Sequence, residues 1–286
     1  MMLDTRLLRA FVAIVETGSF TRSAERLNMT QSTISQQLGR LEDAVGHELI
    51  CRSERPARAT AAGERLLGYA RRILALEAEA VGLLSDPAGA SPIRIGLPED
   101  LVTAEMTGLF AQITAQRREV RIDVTAGLSR NLASRFRAGE LDIAVVKENA
   151  PAADSLASFP EPIAWFEADK DGRSWPDPIP LVTFPPGGLY REAMFARIEQ
   201  LQRRWYVAFS GSSLESVLVA VESGLGISLA PRAVAQGRKL RPCSLFGDEP
   251  PMAVSIYAWE PSGLVGEVID AIRQVLAARA RRLPSP

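Results

Sequence analysis

Apolar positions recur at helical spacing from Leu3 to Val15, where Leu7, Leu8, Phe11, Val12 and Val15 share one face. Gly18 ends that helix, because glycine readily takes the left-handed conformation of helix ends. Ser19 and Thr21 are good N-cap types for a second helix over about Thr21 to Leu27, which buries Phe20, Ala24 and Leu27. Asn28 and Met29 make a turn. Thr30 then caps a third helix from Gln31 to Gly46, with Ile34, Leu38, Leu41 and Val45 inward. A longer amphipathic helix runs from Ala61 to Leu84. Leu67, Leu74 and Val81 repeat every seven residues in it, as do Leu66, Ile73 and Ala80. Such a heptad stripe packs either on a partner helix or on its own domain.

Residues 85–92, SDPAGASP, have the composition of a hinge. Beyond them strand and helix patterns alternate. IRIGL, VRIDVTA, LDIAVV, IAWFEA, PIPLVTF, WYVAFSG, GISLAP and AVSIYAW read as strands. Helical patterns cover Leu101–Gln116, Ser129–Ala138, Tyr190–Arg203, Ser213–Ser223 and Gly263–Arg282. This alternation predicts α/β layers with mainly parallel strands. The chain is expected to enter a second lobe near Pro162–Phe166 and to return near Trp259–Gly263. The expected domains are a mainly α head (1–60), a linker helix (61–85), a hinge (86–92) and an α/β domain (93–286). Within the last, lobe I holds 93–163 and 262–286, and lobe II holds 164–261.

The outward face of the third helix carries the candidate chemistry. Gln31, Ser32, Thr33, Ser35, Gln36, Gln37 and Arg40 crowd its first two turns, where a merely soluble helix carries Glu and Lys. Gln can pair bidentately with adenine, Arg with guanine, and Ser or Thr can meet a thymine methyl or a phosphate. A polar solvated face on a three-helix core is the alternative. Arg52, Arg55 and Arg58 follow in a stretch broken by Pro56, which suits a short hairpin beside a groove or an ordinary basic loop.

Charge alone does not point to nucleic acid. The formal charge is −1 and the pI about 6.1. Residues 1–65 hold nine Arg against eight Asp and Glu, a net of +1. Affinity must therefore come from charge placed on one face and from doubling the head. The two cysteines, Cys51 and Cys243, lie far apart, and MMLDTRLLRA shows no signal peptide, so a reduced cytoplasmic setting is expected. Cys51 reads as a buried small hydrophobe or, in the minority reading, a redox sensor. No run of eighteen apolar residues suggests a membrane span.

The run from Leu7 to Leu67 closely resembles the winged helix-turn-helix of LysR-type transcriptional regulators. Phe11, Gly18-Ser19-Phe20, Thr30-Gln31, Ser35, Leu41-Glu42, Gly46 and Thr60-Ala61-Ala62-Gly63 fill the places of the family pattern. Gln36 stands where the family very often has Arg, which alters the base preference, and Ala59 stands where Leu is common, which affects packing. The resemblance implies DNA contacts from Thr21, Arg22, Thr30, Gln31, Ser32, Thr33, Ser35, Gln36 and Arg40, with Arg52 and Arg58 in the wing. It implies an antiparallel pair of linker helices, an approximately palindromic operator, and a dimer or tetramer. RNA polymerase is a further partner if the protein activates transcription.

GELDIAVV (139–146) and VESGLGISLAP (221–231) are similar to that family's effector domain, and FPPGGLYR (184–191) to one branch of it. The implied fold is periplasmic-binding-protein-like, with a small-molecule effector between two lobes, where strand ends meet helix N-termini. Four segments are expected to line that cleft: Pro98-Glu99-Asp100, Gly127-Leu128-Ser129, Phe184 with Gly187 and Gly188, and Ser210 with Ser212 and Ser213. FSGSS offers amides and hydroxyls for a carboxylate, or simply a helix cap. Many family members have Ser or Thr where this chain has Glu99 and Asp100. These either favour a helix start or meet a ligand amine and exclude simple anions. Trp165 and Trp175 supply an aromatic wall or core packing.

Other classes fit less well. His47, the only histidine, lies in the head, so the α/β domain can build neither a Ser–His–Asp triad nor a histidine-rich metal site. GxSxG and P-loop patterns are absent, and no catalytic residue, metal or cofactor is expected. An enzyme or a solute-binding protein using the α/β domain, with structural N-terminal helices, is the alternative; the fused head speaks against it.

Overall fold

The computed structural model describes residues 3–85, 91–117, 120–170 and 175–282. The chain divides into two compact units, Met1–Ser91 with Arg135–Leu141, and Pro92–Ser134 with Asp142–Pro286.

The first unit opens with α1 (Thr5–Thr17), α2 (Phe20–Arg26) and α3 (Gln31–Val45). Asp4 caps α1, accepting the Arg6 N–H at 2.8 Å. Ser19 rather than Thr21 caps α2, so that helix starts at Phe20. Thr30 caps α3 by accepting the Thr33 N–H at 3.2 Å, and Gly46 ends it at φ 71°. Leu8, Phe11, Ile14, Ile34, Leu38 and Leu41 are fully buried, each side chain contributing about 1.5–3 kcal/mol of transfer free energy. Gly18 is required twice over. Its φ is +63°, and a Cβ there would stand 2.7 Å from Pro56 Cβ.

The wing is the antiparallel pair β1 (Ile50–Cys51) and β2 (Arg58–Ala59), with Ile50 opposite Ala59. It is tied to the α1–α2 turn where the Ala57 N–H donates to the Gly18 carbonyl at 2.9 Å. The long helix α4 (Ala61–Ser85) begins under Thr60, whose hydroxyl accepts the Gly63 N–H at 3.1 Å. A Cβ on Gly63 would lie 2.1 Å from the Leu49 carbonyl oxygen, which explains the glycine after the wing. The heptad stripe divides. Leu67 and Ala70, with Leu66, Ile73 and Leu74, pack on the head, whereas Leu76 and Val81 are exposed. The expected hinge falls largely outside the described residues, and Ser91–Pro92 already belong to the next strand.

In the second unit, lobe I is a five-stranded sheet. Its strands are β3 (Ser91–Leu97), β4 (Val120–Ala126), β5 (Ile143–Glu148), β6 (Ala157–Glu161) and β12 (Met252–Ala258), in the order β4-β3-β5-β12-β6. Helices α5 (Ala104–Gln116) and α9 (Gly263–Arg282) help close its core around Ile95, Val145, Ile256 and Ile272. Helix α6 (Ser129–Arg137) follows β4. Lobe II holds β7 (Ile163–Ala168) between β10 (Ser228–Pro231) and β11 (Leu240–Pro242), both antiparallel to it. It also holds the parallel pair β8 (Ile179–Thr183) and β9 (Trp205–Ser210), with helices α7 (Leu189–Gln200) and α8 (Leu214–Glu222).

Three expectations are corrected. Pairing is mixed rather than mainly parallel, since β12 runs antiparallel to both β5 and β6. For the same reason lobe II ends before Met252, not at 261: the AVSIYAW strand belongs to lobe I. The first lobe II strand begins at Ile163, so lobe I stops at Pro162. Strand β6, absent from the sequence expectations, carries Pro160 and sits at the sheet edge, where a missing N–H is tolerated.

Candidate nucleic-acid interface and ligand cleft

Thr21, Arg22, Thr30, Gln31, Ser32, Gln36 and Arg40 are exposed on α2 and α3, and Thr33 and Ser35 are half-buried beside them. The Thr21 hydroxyl donates to Gln31 Oε1 at 3.4 Å, which links α2 to the first residue of α3. Thr30, Ser32 and Thr33 share hydroxyl contacts at 2.8 Å, so this trio serves the start of α3 as well as its surface. Arg22 donates to the Thr17 carbonyl, which leaves the guanidinium anchored at the head of α2.

Glu42 organises the wing, a role that the sequence reading did not assign. Its side chain accepts the Leu49 N–H at 2.8 Å and the Ile50 N–H at 3.4 Å, and takes Arg52 Nη2 at 2.8 Å. Arg52 is therefore tied down on one side. Arg58, 3.7 Å from Glu54 and well exposed, is held only loosely.

In the second unit the side chains of the four expected cleft segments take different tasks. The Asp100 carboxylate is buried and turned into lobe I, where it accepts from Lys147 and, at 3.3 Å, from Arg279. That corrects its place among effector contacts: two cations already neutralise it. Glu161 joins the cluster, accepting from Arg279 at 2.8 Å and lying 4.0 Å from Lys147 Nζ. Two acids and two bases thus cancel in a buried site. Burial pulls the Lys147 pKa down, but Asp100, Tyr190 and Glu161 outweigh it and hold the ammonium above its ordinary value.

Side chains of the described residues bridge the lobes. Lys147 Nζ donates to the Tyr190 hydroxyl on α7 at 2.9 Å. Arg130 on α6 pairs with Glu192 on α7 at 2.7 Å, and its guanidinium packs over Gly187. Glu99 Oε2 accepts the Leu214 N–H at the start of α8 at 3.2 Å. Burial raises the Tyr190 pKa. Ser129 turns inward, its hydroxyl accepting the Lys147 N–H at 2.8 Å, and the Gly127 N–H donates to the Leu97 carbonyl. Pro98 is buried beside them, and Leu128 offers its carbonyl to the start of α6.

On lobe II, Phe184 is buried with its ring 5.4 Å from that of Tyr190, and Gly188 is the N-cap of α7. Ser213 acts as the cap of α8, accepting the Ser216 N–H at 3.2 Å, while Ser210 and Ser212 are exposed. Trp165 and Trp175 belong to the lobe II core rather than to an aromatic wall. Trp165 packs 4.2 Å from Phe246 between ring centroids and donates to Glu249 at 2.9 Å; Trp175 packs on the same cluster.

Sequence reading missed Lys147, Tyr190, Arg130 and Arg279. One signal was available. Lys147 is one of only three lysines in the chain and directly follows four apolar residues of a buried strand, a position that needs buried partners.

A winged helix-turn-helix followed by a long helix and a two-lobed α/β domain defines a DNA-binding regulator with a domain for receiving small molecules. Residues 5–64 match the family model of the bacterial regulatory helix-turn-helix protein, lysR family, and residues 88–281 match the LysR substrate binding domain. The chain belongs to the LysR family of transcriptional regulators. It is 29% identical over 282 residues to the HTH-type transcriptional regulator DgdR of Burkholderia cepacia, covering 96% of this chain and 95% of that one. It is 28% identical to PecT of Dickeya dadantii over 79% of this chain and 72% of that one. Its fold is similar to that of ArgP from Mycobacterium tuberculosis, at TM-score 0.60 and 24% identity, covering 96% of this chain and 98% of that one. No described helix is long and apolar enough to cross a membrane.

Proposed function

We propose that α3 reads the edges of bases in an operator through Gln31, which Thr21 restrains, and through Ser32, Thr33, Ser35, Gln36 and Arg40, while Arg22, Thr30, Arg52 and Arg58 hold the flanking phosphates. The observation that carries this reading is the dense polar, acid-free exposed face over the first turns of α3, beside a wing whose strand carries Arg58. The protein acts as a dimer or a tetramer built as a dimer of dimers. Tyr69, Leu76 and Val81, exposed on α4, supply the apolar surface for a partner helix. A small-molecule effector enters between the lobes of the second unit and biases their closure. The reading assigns no catalytic step, and it places the protein in the cytoplasm with its operator.

Fluorescence anisotropy tests it. The full-length protein is titrated against the region upstream of its own gene, with scrambled DNA of equal length as competitor, at two salt concentrations. Tight, salt-sensitive binding that resists the scrambled competitor is the expected result. Equal binding to both DNAs, with and without a panel of small metabolites, overturns it.

A further inference from the structure

We propose that Glu99 is a tethered ligand: its carboxylate latches lobe I to helix α8 of lobe II when no small molecule is bound, and an effector acts by replacing it. The inference deepens the reading of the cleft as the effector site and rests on it. Helix α8 is nine residues long, and its first N–H groups have no acceptor within the helix. Ser213 meets the Ser216 N–H, and Ser216 Oγ meets the Ser213 N–H at 3.4 Å. The Leu214 N–H is met from the other lobe, by Glu99, across 115 residues of sequence.

A full negative charge at that point also meets the positive end of the helix dipole. Glu99 is therefore placed as the carboxylate of a bound anion would be. The two other bridges, Lys147 to Tyr190 and Arg130 to Glu192, cross the same gap, so the chain's own side chains join the lobes. The Glu99 bridge is exposed to solvent, unlike the Lys147 bridge, so it is the one a soluble anion can reach. A tethered group competes at an effective concentration of about the millimolar range, which a weakly held free anion cannot overcome. The native latch thus filters out simple anions. It yields only to a molecule that adds contacts of its own.

Hydrogen exchange measured by mass spectrometry on the full-length protein tests this, with acetate as the probe and peptides covering residues 209–218 as the readout. In the wild type this segment exchanges slowly, and acetate changes nothing. In Glu99→Ala exchange rises about tenfold, as expected for one lost hydrogen bond at a helix start, and acetate restores protection. Glu99→Gln, which keeps an acceptor oxygen without the charge, falls between. Equal protection in wild type and Glu99→Ala overturns the latch, as does acetate acting equally on both or failing to restore Glu99→Ala. Failure of the cleft reading looks different. An effector found by its shift of operator affinity would then bind Arg130→Ala and Phe184→Ala as tightly as the wild type, whatever the exchange result.

Discussion

Lys147 and Tyr190 meet from opposite lobes: the ammonium at the end of β5 donates to the phenol oxygen on α7 across 2.9 Å. Below it the same ammonium meets Asp100, and Glu161 lies 4.0 Å away. Lys147 therefore holds lobe I together and reaches into lobe II with one group. Lys147→Ala leaves two buried carboxylates sharing Arg279, and unfolding in urea is expected to show a loss of about 3–5 kcal/mol. Tyr190→Phe keeps the ring against Phe184 and removes only the hydroxyl, so a loss of about 1 kcal/mol is expected. Equal losses in the two variants would show that the bridge, not the buried ion cluster, dominates.

The pH dependence follows from the same residues. Lys147 and Tyr190 both hold their protons more tightly in the folded chain than in the unfolded one. Their contribution is then fully present at neutral pH. It is lost as pH rises from about 10, where the unfolded groups begin to release protons, towards the raised folded values. Tyr257, whose hydroxyl donates to Glu148 at 2.7 Å, is pushed up to about 12, mainly by burial. Ultraviolet titration is expected to show the Tyr190 and Tyr257 phenols ionising only above the ordinary phenol range, together with loss of the fold. A single phenol transition near pH 10 with the fold intact would contradict these environments.

Legibility followed the range of the interactions. Thr30 and Gly46 bound α3 as a local reading expects, because caps and left-handed ends are set by neighbouring residues. The place of β12 between β5 and β6 could not be read from AVSIYAW, since an apolar strand does not say which sheet it completes. The expected cleft segments show the same division. Strand ends and helix starts mark them in the local pattern. The partner of Asp100 is a side chain 47 residues away, and that of Glu99 a backbone N–H 115 residues away. Glu99-Asp100 looked like a pair with one task, yet the 3-10 turn Glu99–Leu101 sends one carboxylate to α8 and the other into lobe I.

The wing offers a test in which structure separates two arginines that look equivalent in sequence. Arg52 pairs with Glu42, so Arg52→Glu sets two carboxylates against each other and disturbs the wing itself. Arg58→Glu meets only exposed Glu54 and leaves the fold within about 0.5 kcal/mol. Anisotropy at several salt concentrations is expected to show Arg58→Glu weakening binding to all sequences and reducing the salt slope by about 1. Glu42→Ala strands two wing N–H groups, so its thermal unfolding is expected to reflect a loss of about 1–3 kcal/mol. Unchanged salt dependence in Arg58→Glu would remove the wing from the DNA interface.

The bond from Thr21 to Gln31 ties base specificity to a residue of α2. Gln31 opens α3, and one lone pair of its carboxamide oxygen is engaged by a residue of α2. That contact restrains the carboxamide and leaves it an acceptor lone pair and both donors, the groups that bidentate pairing with adenine uses. Thr21→Val removes that restraint and leaves Gln31 in place. Gln31→Ala is expected to lose about 1–3 kcal/mol of discrimination at one base pair, and Thr21→Val part of it at the same base pair. Ser35→Ala, one turn further along the helix, is expected to relax a different position. Anisotropy against operator variants, each changed at one base pair, reads these losses. If Thr21→Val and Gln31→Ala lose discrimination at different base pairs, Thr21 is a contact in its own right and does not act through Gln31.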